Sequence, residues 1–276
     1  MKKHSSQNFP DSLGLVVFDW AGTTVDFGCC APVAAFAKVF QRRGIDITMG
    51  QAREPMGMEK RAHIEAVGQM EEVGGQWLQQ YGSAMSAADI DAMFADFVPL
   101  LLEVLGEHSA IIPGVLEAVQ WLRQHNIKVG ASTGYFREAA GVVAQSAAAR
   151  GFSPDYSISA TEVAAGRPAP WMIFRVMEEL QVYPPRTVVN VGDTVVDVET
   201  GVNAGVWAVG VAETGNLCGL SSAELEGLPA VEAEQRVSSA THTLRRAGAH
   251  YVIRNMRELP QVIAAINDRL ANGEKP

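Results

Sequence analysis

Acids, a hydroxyl and a cation recur in this chain at one kind of place, just after a short apolar run. Asp19 follows Leu15–Phe18, the stretch Ser132-Thr133-Gly134 follows the run 127–131, and Asp193 follows the run 188–191 with Asp197 one helical turn on. Arg167 stands between Gly166 and Pro168, in a loop after a further run, Tyr156–Ser159. Each has a structural explanation by itself: an aspartate or threonine after a strand caps the next helix, and a loop arginine is solvated. As a set they suit phosphoryl chemistry. Asp19 and Asp193 offer hard oxygen ligands for Mg²⁺, which takes one or two protein carboxylates together with substrate oxygens. Thr133 and Arg167 then hold the remaining anionic oxygens, Asp19 is placed to attack phosphorus, and Asp197 orients metal-bound water or Arg167. Gly22, followed by Thr23 and Thr24, lets the backbone turn tightly and present N–H groups and hydroxyls to an anion.

Such residues meet if a parallel sheet brings the carboxyl ends of several strands to one edge, where open α/β sheets bind their ligands. The unbroken apolar run Leu15–Phe18 reads as a strand buried on both faces. Further strands are expected at 127–131, Tyr156–Ser159, 188–191, Trp207–Val211 and Tyr251–Ile253. Helices are expected between and after them at 115–125, 138–150, 170–180, Val195–Ala204, 221–246 and 256–271. After the first strand the pattern is helical instead, at 32–43, 58–67, 76–81 and 86–105. The expected organisation is a disordered segment 1–12, an α/β core domain of residues 13–28 and 107–276, and an inserted helical cap domain, 29–106. An insert at that edge would lie over the crevice, supply residues to it and exclude water on closing.

With 276 residues and 47% hydrophobic content, the chain can bury a full core and has room for one large and one smaller domain. Its net charge of -9 and pI near 5.2 argue against nucleic-acid or anionic-membrane partners, while a few local cations suffice for a small acidic substrate. Cys29, Cys30 and Cys218 lack metal-ligand spacing and suit reduced thiols in a cytoplasm. No apolar segment of signal-peptide type follows Lys2 and Lys3, and the near-apolar stretch 97–105, with Pro99 and Glu103 inside it, is too short to span a bilayer. The expectation is a cytoplasmic protein with no membrane partner.

In order along the chain, Asp19-x-x-Gly-Thr, Ser-Thr-Gly at 132–134, Arg167 in its loop and Gly-Asp-Thr-x-x-Asp at 192–197 resemble the four motifs of the haloacid dehalogenase superfamily. That resemblance covers nearly the whole chain. It implies a Rossmann-like parallel core with a helical cap, Mg²⁺ dependence and an aspartyl-phosphate intermediate on Asp19. Most phosphatases of the superfamily carry a general acid two residues after the nucleophile, where this chain has Ala21. The sequence more closely resembles the phosphonatase branch, which hydrolyses phosphonoacetaldehyde to acetaldehyde and phosphate. The matching stretches are Phe-Asp-Trp-Ala-Gly-Thr-Thr-Val-Asp at 18–26, Pro-Met-Gly-x-x-Lys at 55–60, Thr-Gly-Tyr at 133–135 and Ala-Gly-Arg-Pro-x-Pro-Trp at 165–171.

The branch's Schiff-base lysine falls on Lys60, a position that by sequence alone reads as a solvated helix residue. Its chemistry accounts for Ala21. Direct C–P cleavage would expel a carbanion, so the aldehyde must first become an electron sink, and an imine with Lys60 receives the electrons as an enamine. Metal ligands implied by the resemblance are Asp19, the Ala21 carbonyl and Asp193; Gly22, Thr23, Met56, Cys29, His63, Thr133, Gly134, Tyr135 and Arg167 are implied around the substrate. To attack, Lys60 must shed a proton it holds with a reference pKa of about 10.4, and burial under a lid beside Arg167 or a charged His63 would favour this. The resemblance also implies a homodimer through the caps. The alternative enzyme is a Mg²⁺-dependent phosphatase or phosphomutase of the same superfamily, which has no need of Lys60. A catalytically inactive phosphate sensor is expected to lack the nucleophile or a metal acid, and both Asp19 and Asp193 are present.

Overall fold

A computed structural model of the chain describes residues 12–106 and 108–276; the disordered segment expected at 1–12 lies, but for Ser12, outside them. Six strands form one parallel sheet: β1 (Leu15–Phe18), β2 (Lys128–Thr133), β3 (Tyr156–Ser159), β4 (Val188–Gly192), β5 (Trp207–Val211) and β6 (Tyr251–Ile253), in the order β3-β2-β1-β4-β5-β6. The chain winds outward from β1 to β3, returns to place β4 on the other side of β1, and winds outward again. That reversal puts the topological switch point between β1 and β4, where doubly wound sheets open a crevice beyond their carboxyl ends. All four residues of β1 are buried, which is why its sequence runs apolar without alternation.

The insert after β1 comprises α1 (Cys30–Gln41), α2 (Met49–Arg53), α3 (Lys60–Gly68), α4 (Glu71–Tyr81) and α5 (Ala87–Leu105). The helix α2 is absent from the sequence reading. At five residues it is too short for a periodic pattern, and its signal is the Thr48/Gln51 capping box. Phe36 of α1 stacks on Phe97 of α5, with ring centroids 4.4 Å apart. Both joints between insert and sheet run side by side: Ile112 N donates to Thr24 O (2.9 Å), and Val25 and Ile111 form an antiparallel bridge.

The rest alternates with the strands: α6 (Val115–Gln124), α7 (Arg137–Ala148), α8 (Trp171–Glu179), α9 (Val195–Ala204), α10 (Ser222–Gly227), α11 (Ala230–Arg246) and α12 (Leu259–Ala271). Val16 and Phe18 join the core on the α6, α7 and α12 side, whereas Leu15 and Val17 pack on the α8 side, as a strand's twofold alternation requires. The single helical stretch expected over 221–246 is two helices. Leu228 leaves helical geometry before Pro229, whose ring disfavours the helical region for the residue preceding it.

Candidate active site

The register of the sheet assembles the site. Phe18 pairs with Ala131 of β2 and Val191 of β4, so one step further Asp19, Ser132 and Gly192 stand side by side. Asp19 N still donates to Val191 O (2.9 Å), which holds the carboxylate at the switch point. Arg167 reaches in from the loop before α8. Its Nη2 donates to Ser132 O (2.7 Å) and Ser132 Oγ (2.9 Å) and pairs with Asp19 Oδ1 at 2.8 Å, while Nη1 pairs with Asp197 Oδ1 at 2.5 Å. Asp197 also closes the N-terminal capping box of α9, its Oδ2 accepting from Thr194 N (3.1 Å) and Thr194 Oγ1 (2.5 Å). Asp193 is fully buried: Oδ1 accepts from the Thr23 hydroxyl (2.9 Å), and Oδ2 accepts from Asn216 N (2.7 Å) and the Cys29 thiol (3.5 Å).

Three buried carboxylates with oxygens within 4.8 Å of one another face one guanidinium. Burial raises the Asp19 pKa to about 6, with Arg167 pulling it down and Asp197 pushing it up. Burial, then the charges of Asp19 and Asp197, push Asp193 well above the usual carboxylate range. This excess of negative charge, presented only by oxygens, fits a hard divalent cation. Asp197 spends one oxygen on the Arg167 ion pair and the other on the cap of its own helix.

Beyond Asp19 lies a small cavity lined by Asp19, Ala21, Cys29, Pro32, Met56, Gly57, Lys60, Thr133, Gly134, Tyr135, Arg167 and Thr194. Asp19 is the one carboxylate among these residues, and Ala21 offers no acid to protonate a leaving oxygen. Lys60, the first residue of α3, is 3% exposed. Its Nζ lies 3.8 Å from Met56 Sδ, 5.1 Å from the Tyr135 ring centroid and 5.6 Å from that of Phe36, a shell that solvates an ammonium poorly. Burial accordingly lowers its pKa to about 8, opposed by Cys29 and Asp19 and assisted by Arg167. A neutral amine is accessible close to physiological pH.

The insert reaches this cavity through two close approaches. Gly57 has φ +93°, and a Cβ there would fall 2.5 Å from Thr194 Oγ1; a Cβ on Gly134 would fall 2.5 Å from Met58 O. Any side chain at either position separates the loop before α3 from the sheet edge.

A family model for haloacid dehalogenase-like hydrolase matches residues 13–205. The chain belongs to that family. This hydrolase is 43% identical over 261 residues to phosphonoacetaldehyde hydrolase of Paraburkholderia phytofirmans, covering 95% of this chain and 98% of the relative. It is 41% identical over 260 residues to a bifunctional phosphonoacetaldehyde hydrolase/aminoethylphosphonate transaminase of Clostridioides difficile, covering 94% of this chain but 41% of that longer protein. Among solved structures, a phosphonoacetaldehyde hydrolase-like protein from Oleispira antarctica superposes with a TM-score of 0.95 at 37% identity, with 99% of each chain covered.

Of the residues singled out in the hydrolase's sequence, Asp19, Ala21, Cys29, Met56, Lys60, Thr133, Gly134, Tyr135 and Arg167 share the cavity wall. Gly22, Thr23 and His63 do not line it. Thr23 holds Asp193, and Gly22 leaves the room that Asp193 and Cys29 occupy. His63 is fully buried, stacked on Phe36 at 3.7 Å, with Nε2 at 3.0 Å from Ala52 O. Burial, then Lys60, push its pKa well below the usual histidine value, so it is neutral and the expectation of a charged His63 beside Lys60 is corrected. Thr194, Thr214, Asn216 and Arg53 escaped the sequence reading. Thr194 was legible as a capping residue three before Asp197; the others are brought in by contacts between distant parts of the chain, 163 residues apart for Asn216 with Arg53 and 192 for Thr214 with Gly22.

Proposed function

We propose that this hydrolase cleaves the C–P bond of phosphonoacetaldehyde, giving acetaldehyde and phosphate, within the degradation of 2-aminoethylphosphonate. The observation that carries the reading is a lysine amine, buried and easily deprotonated, in the same cavity as the switch-point carboxylate and without a second acid. The neutral Lys60 amine adds to the aldehyde carbon, and with uptake of one proton from solvent, water leaves to give a protonated imine. Asp19 attacks phosphorus; the electron pair of the C–P bond moves into the imine to give an enamine, and the phosphoryl group becomes an aspartyl phosphate. Protonation of the enamine at carbon restores the imine, and water hydrolyses both adducts, releasing acetaldehyde from Lys60 and phosphate from Asp19. Arg167, fixed by Ser132 and Asp197, binds the phosphonate oxygens and offsets charge at phosphorus. Mg²⁺, held by Asp19, Asp193 and the Ala21 carbonyl, supplies charge neutralisation at the transferring group when bound.

In this reading the insert is a cap domain (29–106) that covers the cavity, a homodimer forms through the caps, and the enzyme works in the cytoplasm. Among the described residues, no helix is long and apolar enough to cross a membrane. The test is reductive trapping: the protein incubated with phosphonoacetaldehyde and borohydride yields a peptide modified at Lys60, and Lys60→Ala yields neither adduct nor acetaldehyde. Turnover by Lys60→Ala with no adduct in the parent protein returns the chain to ordinary Mg²⁺-dependent phosphatase or phosphomutase chemistry.

A further inference from the structure

The metal-binding acid is tied to the helical insert by a side chain that the proposed reaction does not use. Arg53, the last residue of α2, sends Nη1 across the joint to Gly28 O (2.6 Å) and to Asn216 Oδ1 (3.1 Å). Asn216 answers in the other direction, its Nδ2 donating to Arg53 O (3.0 Å). The backbone N–H of that same Asn216 donates to Asp193 Oδ2 (2.7 Å), and the residue is 5% exposed. The loop bearing Asn216 is itself pinned beneath the first motif, with Thr214 Oγ1 donating to Gly22 O (2.7 Å) and Gly28 N donating to Thr214 O (2.8 Å).

We infer that Arg53 and Asn216 form a clasp that couples the seating of the insert to the orientation of the Asp193 carboxylate, making both positioning residues for the metal. The clasp is reciprocal, one side chain to side chain and one side chain to backbone, so neither partner satisfies its groups if α2 moves away. With α2 seated, Asn216 is locked and its N–H fixes one oxygen of Asp193. With α2 displaced, that N–H is free to drift, and Asp193 keeps the Thr23 hydroxyl and the weak thiol donor of Cys29. Linkage makes the relation mutual: if seating the insert favours the metal, the metal favours the seated insert by the same factor. The enzyme therefore binds its metal most tightly in the state that shields the cavity from water.

This inference rests on the metal reading above, and the experiment separates the two. Mg²⁺ affinity of the full chain without substrate is measured by calorimetry for the parent protein, Arg53→Met, Arg53→Lys, Asn216→Ala and the Met/Ala double variant. Circular dichroism and melting report the fold, and Arg61→Met, which removes an ion pair internal to the insert, serves as the control. Arg53→Met and Asn216→Ala are expected to weaken Mg²⁺ about five- to tenfold each, and the double variant no more than the worse single one, because both break one clasp. Arg53→Lys, which keeps the charge but places its donor differently from the guanidinium Nη1 that makes both bonds, is expected to fall between, and it carries the test if Arg53→Met fails to fold. Mg²⁺ affinity within twofold of the parent in the folded Arg53 variants, or fully multiplicative losses in the double variant, overturns the coupling while leaving the metal site standing. No Mg²⁺ binding by the parent overturns both.

Discussion

Lys60→Met tests the electrostatic core of the mechanism without requiring turnover. A lysine whose pKa falls from 10.5 to about 8 on folding binds fewer protons in the native than in the unfolded chain between those values. Stability therefore rises with pH across that window, and below about pH 8 the full cost of the buried ammonium is present. At about 1.4 kcal/mol per unit this cost is roughly 3 kcal/mol at pH 7, a large share of a typical stability of about 5–15 kcal/mol. Methionine has similar length, no charge and no need of water, and it enters a shell already made of Met56, Phe36 and Tyr135. Lys60→Met should thus be more stable than the parent at pH 7 by roughly 3 kcal/mol, or about 6 °C in Tm at about 2 °C per kcal/mol for a chain of this size. At pH 10 the difference should shrink to about 1 kcal/mol, since the folded lysine is then already neutral and the unfolded one, still mostly protonated, lies within a unit of its own pKa. Urea denaturation of the metal-free proteins at both pH values, with equal slopes, gives the comparison. A variant less stable than the parent at pH 7, or a difference that does not change with pH, refutes the buried-ammonium argument and with it the ready supply of free amine.

The same pKa predicts that kcat/KM for phosphonoacetaldehyde rises about tenfold per pH unit below pH 8 and levels off above it, since the neutral amine attacks; a profile flat from pH 6 to 9 contradicts this. Mg²⁺ should raise the Tm of the parent by relieving repulsion among Asp19, Asp193 and Asp197, and should leave the Tm of Asp193→Asn nearly unchanged in a thermal-shift titration, while chelation abolishes phosphate release. Asp19→Asn should form no acid-labile phosphoryl-enzyme in rapid-quench mass spectrometry and lose at least about 10³-fold in rate; near-parental turnover would exclude covalent transfer. Gly57→Ala and Gly134→Ala should keep the sheet's circular dichroism but lower kcat/KM at least about tenfold, because their Cβ atoms meet Thr194 Oγ1 and Met58 O. Unchanged kinetics in both would show that the insert need not seat that closely. A homodimer through the caps predicts a mass of two chains by light scattering, and monomers at micromolar concentration would dismiss it.

Local sequence determined much of this enzyme. Burial of β1 on both faces demands the apolar run Leu15–Phe18, and a carboxylate directly after such a run falls on the sheet's carboxyl edge, so Asp19 and Asp193 announce themselves by position. The Thr194/Asp197 capping box is likewise written within four residues. What no local pattern contains is how far a side chain is withdrawn from water. Lys60 and His63 sit on a helix whose sequence is evenly mixed, and only the packing of α1, α3 and the Tyr135 turn around them turns one into a base poised near pH 8 and the other into a neutral core ring. Thr23 reads as an anion binder beside Asp19, yet the fold gives its hydroxyl to Asp193, 170 residues away. Spacing along the chain reports which residues a strand or helix aligns; desolvation and the choice among competing hydrogen-bond partners are properties of the closed tertiary shell, and they decide which aligned groups can react.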